Sequence, residues 1–585
     1  VKRRRSLILI ASSAVALAAA GIAVWAERRA LSADLGAPRD LHGTGYVGAA
    51  ACRRCHQDNH ASWKRTFHRS MTTEATPANV RGDFSGATLA HAGVVARMDR
   101  DPAGAYRMTF IRPGAPPRVA KVVRAVGSRR YQQYLAAEGD TLWRLPVAYN
   151  VEEKRWFPMT GAFLFSDPDE QDAPAAAGEP GRPMYGGGAF DRHVTRWNDN
   201  CVFCHNVAPN PGRDPASGRF STTVAELGIA CEACHGPGAE HVRRNADPLR
   251  RTALRLGDVA DPTIVNPSRL TPARAADLCG RCHGQRIADD VGPFLRYGDP
   301  FVPGDDLALE SAPLWRDTPL GGDRTAFAAR FWDDGTPRLT AYEYQGLLQS
   351  ACSIRGALTC TSCHGMHEGD PRGQIRARFA GAGVASDGMC TQCHGALAAP
   401  AALAAHTHHD PAGEGARCVG CHMPRVVYGV LDVHRSHRIE IPDPARTAAA
   451  GRPDACAGCH VAGDVGGARS QLDAVATGDP VTRAVAADAL GRAPPLGGAP
   501  ARAARMAALL DVMAGDRYPA VRHIAWRSLR RLSADAASDF DPSAERADRA
   551  RVVARVRGEL GIDATPAPRL AARVPPRDQD LEIGE

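Results

Sequence analysis

The stretch CEACHGPGAEH, residues 231–241, sets two cysteines three positions apart, a histidine directly after the second, and another histidine six residues later. The string Cys-x-x-Cys-His recurs. It is found at Cys52, Cys55 and His56; at Cys201, Cys204 and His205; at Cys231, Cys234 and His235; and at Cys279, Cys282 and His283. Four further copies lie at Cys360, Cys363 and His364; at Cys390, Cys393 and His394; at Cys418, Cys421 and His422; and at Cys456, Cys459 and His460. Of the 17 cysteines only Cys352 stands outside these eight copies. Tetrahedral zinc does not require a histidine fixed to every second cysteine. A disulfide framework has no use for one, and a thioredoxin-like redox site occurs singly in a βαβ setting. Covalent attachment of haem c uses all five positions: two thiols add to the two vinyl groups at one porphyrin edge, and the adjoining histidine becomes the proximal iron ligand. The spacing therefore predicts eight covalently bound haem c groups, with the sixteen motif cysteines as attachment points and the eight motif histidines as proximal ligands.

Each iron then needs a sixth ligand. The chain has 21 histidines, which leaves 13 beyond the motifs. That surplus favours bis-histidine iron, which lacks the potential-raising effect of an axial methionine, and so low-potential electron carriage. His241 is tied too closely to His235 to round the same porphyrin, so it is expected to reach the far face of a neighbouring haem. The same argument is stronger for His367 in CHGMH. Cross-ligation of this kind packs haems side by side, close enough for electron hopping. Cys352, eight residues before a motif, is either an axial thiolate or haem-edge neighbour or a plain buried thiol.

The segments YVGAAACRRCHQDNHASWKRTFHRSM, GIACEACHGPGAEHV, ACSIRGALTCTSCHGMH and ARCVGCHMPRVVYGVLDVHRSH carry a family resemblance. They resemble exported multihaem cytochromes c related to the tetrahaem cytochrome that accepts electrons from hydroxylamine oxidoreductase. The resemblance spans roughly residues 45–462, and many relatives carry a helical-repeat tail. It implies a multihaem cytochrome c fold with His68, His241, His367 and His437 as distal ligands. One of His408 and His409 is expected to join them, and His91 and His193 are further candidates. His42, His60, His406 and His434 rank below these, and His523 is expected on a solvated helix face. Seven candidates for eight places leave room for one five-coordinate iron. Hence the alternative to a periplasmic electron carrier is an octahaem reductase or oxidase of a small nitrogen or sulfur compound such as nitrite, hydroxylamine or tetrathionate. No Cys-x-x-Cys-Lys string occurs, so the lysine-ligated haem of nitrite reductases is absent.

At 585 residues the chain that must position these residues is long for one domain and suggests two to four. Aromatic content is only 6%, with 58 Gly and 43 Pro, so the protein part of the core is thinly supplied and bulky cofactors are expected to complete it. The fold class expected is mainly α with extensive loops, organised around the haems. A first haem segment at 45–83 precedes an inserted antiparallel β subdomain at 84–165, read from short alternating runs bounded by Gly, Pro and Asp. The stretch 166–188 reads as a linker or surface loop, residues 190–462 as a core holding seven haems, and 285–345 as a haem-free excursion within it. From 465 to 560 the composition turns to Ala, Arg and Leu, and Arg-x-x-Ala-x-x-x-Leu recurs at 483–490 and 522–529, 39 residues apart, near the period of HEAT-like repeats. Residues 565–585 are expected to be disordered.

Residues 1–30 carry four basic side chains followed by Ser6 to Ala26 without a charge. This predicts an export signal retained as an inner-membrane anchor, or released after cleavage near Ala26, with the remaining chain in the periplasm. The formal charge of +8 does not indicate nucleic acid, because the arginines are scattered and not interleaved with aromatics. Redox protein partners, docking on the helical tail, are the expected company.

Overall fold

The computed structural model describes residues 13–27, 29, 41–166, 181–257, 260–339, 342–368, 374–381, 387–428, 431–463 and 470–562. The tail expected to be disordered at 565–585, most of the 166–188 loop and the first part of the export signal lie outside these residues. Residues 13–27 form a helix whose Val15, Leu17, Ile22 and Trp25 are exposed. Among the described residues no helix is long and apolar enough to cross a membrane.

Residues 73–158 build a nine-stranded antiparallel sheet. Seven strands follow one another as a meander: β1 (Ala87–His91), β2 (Val94–Arg100), β3 (Tyr106–Ile111), β4 (Arg118–Val126), β5 (Tyr131–Glu138), β6 (Val147–Asn150) and β7 (Arg155–Pro158). Two short strands complete it, Thr73–Glu74 on β4 and Thr141–Arg144 on β5. Alternation fixes the register, because a one-residue slip would turn the buried face to solvent. On β2, Val94, Ala96 and Met98 are buried while Val95 and Arg97 face out, and Met98 lies opposite the buried Met108 of β3. Phe84, Tyr106, Tyr134 and Trp156 then pack edge to face or tilted, with ring centres 4.9–5.5 Å apart. With a sheet of this size the molecule is mixed, helices and antiparallel sheet together, not mainly α. The short alternating runs pair with one another and so extend into one large sheet.

The C-terminal helices are α1 (Gln471–Thr477), α2 (Pro480–Arg492), α3 (Gly498–Gly515), α4 (Pro519–Leu532) and α5 (Arg546–Leu560). The repeated pattern has a physical basis in α2 and α4. Ala486 and Leu490 occupy the same places as Ala525 and Leu529, and all four are fully buried. Arg483 and Arg522 both close on one residue: Arg483 pairs with the Asp516 carboxylate at 2.7 Å and Arg522 donates to the Asp516 carbonyl at 2.7 Å. Gly491 lets the two helices touch, since a Cβ there would stand 2.5 Å from the Ser528 Cβ.

This bundle is not separate from the rest. One continuous core joins α2, α3 and α4 to Phe157 of β7, to Met159 and Phe163 just beyond the sheet, and to Val427, Leu431 and Val433 of the Arg425–Tyr428/Asp432–Arg435 hairpin. By contrast, the residues around the motifs bury only small satellite clusters, such as Ala49, Val207 and Ala230, or Leu41, Val265 and Val302. At the sheet–tail seam, Glu153 accepts from His523 at 3.0 Å and from Arg527 at 2.6 Å. Burial pushes the Glu153 carboxyl up, but the hydrogen bond from His523 and the His523 and Arg527 charges outweigh it and bring it down to about 2. A depressed carboxylate stabilises the fold above its ordinary range and loses that contribution as pH falls toward its folded value. Glu153→Gln should therefore lower the melting temperature near neutral pH, at a cost of about 3 kcal/mol, and the difference from wild type should shrink between pH 4.5 and about 2; a calorimetric pH series measures both.

Candidate metal centres

Each motif is a single helical turn. The amide of the motif histidine donates to the carbonyl of the first cysteine in His56 to Cys52, His283 to Cys279, His364 to Cys360, His394 to Cys390 and His460 to Cys456, at 2.8–3.0 Å. Cys231–His235 and Cys418–His422 are short α-helices themselves. Residues three and four apart on such a turn share a face, so both thiols and the imidazole are presented together.

Six motif histidines face a second imidazole across a gap. His56 faces His241 with ring centres 6.3 Å apart, His235 faces His367 at 6.2 Å, and His364 faces His437 at 6.2 Å. His422 faces His406 at 6.1 Å, His460 faces His409 at 6.1 Å, and His283 faces His68 at 6.0 Å. Rings in van der Waals contact would approach more closely. A metal ion bound at about 2 Å to one nitrogen of each ring places the ring centres about 6 Å apart, so the spacing fits one iron per pair. The pairs differ in twist, from 6° at His406 and His422 to 86° at His68 and His283.

Hydrogen bonds orient the rings for this. A carbonyl oxygen can only accept, so Nδ1 of His235 donates to Val265, Nδ1 of His364 to Gln374, Nδ1 of His422 to Glu440 and Nδ1 of His409 to Thr407, at 2.6–2.8 Å. The proton is thereby fixed on Nδ1 and the lone pair left on Nε2, the arrangement that metal-bound imidazole requires. His241 instead donates to the Asp261 carboxylate at 3.1 Å. Burial pushes Asp261 upward, yet the bonds from His241 and Thr263 keep it below the ordinary carboxylate range. Burial also keeps the imidazoles neutral: it lowers His68 to about 4, with His283 adding to the effect, and lowers His56, His235, His364, His367 and His437.

The thiols of different motifs lie against one another. Cys231 lies beside Cys52, Cys204 beside Cys282, Cys279 beside Cys360 and Cys390 beside Cys418; in each pair the contact raises the first thiol and lowers the second. Weaker electrostatic influence links Cys234 to Cys282, Cys363 to Cys393 and Cys421 to Cys456. Numbering the motifs along the chain, these neighbours give the spatial series one, three, four, five, six, seven, eight, with motif two beside motif four. At the seven–eight end, Arg425, Arg435, Arg492 and Arg531 gather around the single carboxylate of Asp488. Burial lowers Arg425 to about 10, and the other guanidiniums work against the compensation from Asp488. This is a place built for further negative charge.

The other histidines lie elsewhere. His193 is buried between Phe163 and Phe165, with ring centres 4.4 and 4.8 Å away, and His91 meets Thr160 at 3.2 Å and Phe190 at 6.3 Å. His42 bonds Asp305 at 2.9 Å, His60 packs beside Trp63, His434 contacts Arg130, and His523 is buried at the seam and not on a solvated face. Cys352 is half-buried in the Ala351–Gly356 helix and influences Cys363. His406 is the residue that sequence reasoning ranked too low. It ends the Pro400–Thr407 helix; His408 then takes a left-handed φ of 58° and turns the chain, so that His406 and His409 serve two adjacent motifs. His408 is the exposed cap of that turn. Three histidines in four positions are the only sequence signal for this arrangement. Among the described residues no cluster of three or more His, Cys, Asp or Glu forms an all-protein metal site.

No protein-family model matches the chain, and no curated protein matches it. Two solved structures are similar to it in shape. The outer cell wall cytochrome OcwA shares 18% identity over 87% of this chain and 99% of its own, with a TM-score of 0.45. The undecahaem cytochrome from the S-layer of Carboxydothermus ferrireducens shares 15% identity over 88% of this chain and 69% of its own, with a TM-score of 0.34.

Proposed function

We propose that the chain is an exported multihaem c-type cytochrome, carrying eight covalent haems, that relays electrons along the series of motifs. The observation that carries this reading is the set of six imidazole pairs at 6.0–6.3 Å, each joining one motif histidine to a histidine outside the motifs. When bound, haem supplies an iron that alternates between ferric and ferrous states. The chain's own residues do the rest. His56 with His241, His235 with His367, His283 with His68, His364 with His437, His422 with His406 and His460 with His409 hold the axial positions. The motif cysteines would fix the porphyrin edges, and because thiols of motifs one and three, two and four, four and five, and six and seven lie against one another, those edges would be held close enough for electrons to pass between them. Arg425, Arg435, Arg492 and Arg531 would offer positive charge to haem carboxylates at the seven–eight end, and that surplus would favour the reduced state there. The porphyrins also supply the apolar bulk that the small clusters around the motifs lack.

The N-terminal segment places the molecule on the periplasmic side of the inner membrane in this reading, and the helical tail serves to dock a redox partner. The six paired centres favour relay over catalysis.

Three measurements test the proposal. The intact mass of the purified protein should exceed that of the polypeptide by eight haems. Electron paramagnetic resonance of the oxidised protein should contain a strongly anisotropic low-spin signal from the perpendicular His68–His283 pair, and this signal should be lost in His68→Ala while the rhombic signals of the near-parallel pairs persist. Asp261→Asn weakens the hydrogen bond that makes His241 a stronger donor to ferric iron, so one midpoint potential should rise in a spectroelectrochemical titration.

A further inference from the structure

Motif six differs from the six paired motifs. All 21 histidines fall among the described residues, and His394 faces none of them. Cys393, His394 and Gly395 are exposed, and the chain that follows, Gly395 to Pro400, reads GALAAP, with no side chain able to ligate iron. The histidines next in sequence are committed elsewhere: His406 faces His422 and His409 faces His460. His408 caps the helix, exposed and turned by its left-handed backbone, and makes no ring contact with His394. Motif six is nevertheless not isolated. Cys390 bonds Cys418 of motif seven, and Cys393 influences Cys363 of motif five.

We propose that the centre at Cys390–His394 is five-coordinate, with His394 its only axial protein ligand and its outer face open to a small exogenous σ-donor or π-acceptor such as carbon monoxide, cyanide or nitrite bound through nitrogen. The inference rests on the haem-attachment reading and deepens it. The ligand-binding iron lies in the middle of the electron path, supplied from both sides, and not at a terminus. Binding forms one iron–ligand bond at a solvent-facing position and displaces no protein group.

The test is a carbon monoxide titration of the dithionite-reduced, full-length holoprotein, with the haem count fixed beforehand by intact mass. The expected result is a Soret change that includes the equivalent of about one haem in eight from motif six. That share should be unchanged in His408→Ala and lost in the double variant Cys390→Ser/Cys393→Ser, whose mass falls by one haem. Eight haems with no carbon monoxide reactivity would overturn this inference alone. So would reactivity that persists undiminished in the double variant, which assigns it to another motif, or reactivity that arises only in His408→Ala, which makes His408 the sixth ligand. A mass equal to the bare polypeptide would overturn the attachment reading as well.

Discussion

The constraint on which the rest depends is the distance between two imidazole planes that share one metal ion. Six times the chain brings two rings to that distance, and in four of the pairs a hydrogen bond from Nδ1 to a carbonyl leaves the other nitrogen of that ring free. Once this spacing is imposed, the helical turns of the motifs, the shortness of the surrounding helices and the scarcity of large apolar clusters between residues 190 and 462 follow. On the proposed haem attachment, a chain that wraps porphyrins has little length left for regular structure of its own. The extended elements are accordingly found outside the motif region, in the sheet at 73–158 and the helices at 471–560, each with a conventional side-chain core.

Much of the centre chemistry is legible in the sequence because it is local. Two cysteines and a histidine within five residues declare their shared face without any tertiary information. His241 and His367 are legible for a related reason: each follows a motif too closely to serve it, so the sequence directs both to a neighbour, and the structure places them against His56 and His235. Partner identity is a different matter. Nothing local to His68 points to His283, 215 positions away; that meeting is a property of the folded chain.

Where sequence reading fell short, backbone conformation or burial decided the outcome. His406, His408 and His409 look alike in the sequence, and it is the left-handed turn at His408 that separates two rings set against motif histidines from one that caps the helix. His91 and His193 carry no sequence mark that separates a ligand from a core residue, and their aromatic surroundings near the sheet supply that mark only in three dimensions. His523 sits on a helix expected to be solvated, yet Glu153 from the sheet covers it. The size of the sheet was hidden because each strand is short, and its nine members become one layer only through pairing.

The interleaving of partners along the chain has a consequence for biogenesis. With the proposed ligation, centres are not completed in the order in which their motifs are synthesised. The first motif waits for residue 241, the fourth reaches back to residue 68 and closes by residue 283, the third stays half-made until residue 367, and the seventh closes before the fifth. Maturation is then a braid rather than a queue: a truncation before residue 437 strips the distal ligand from the fifth centre, whose motif begins at residue 360.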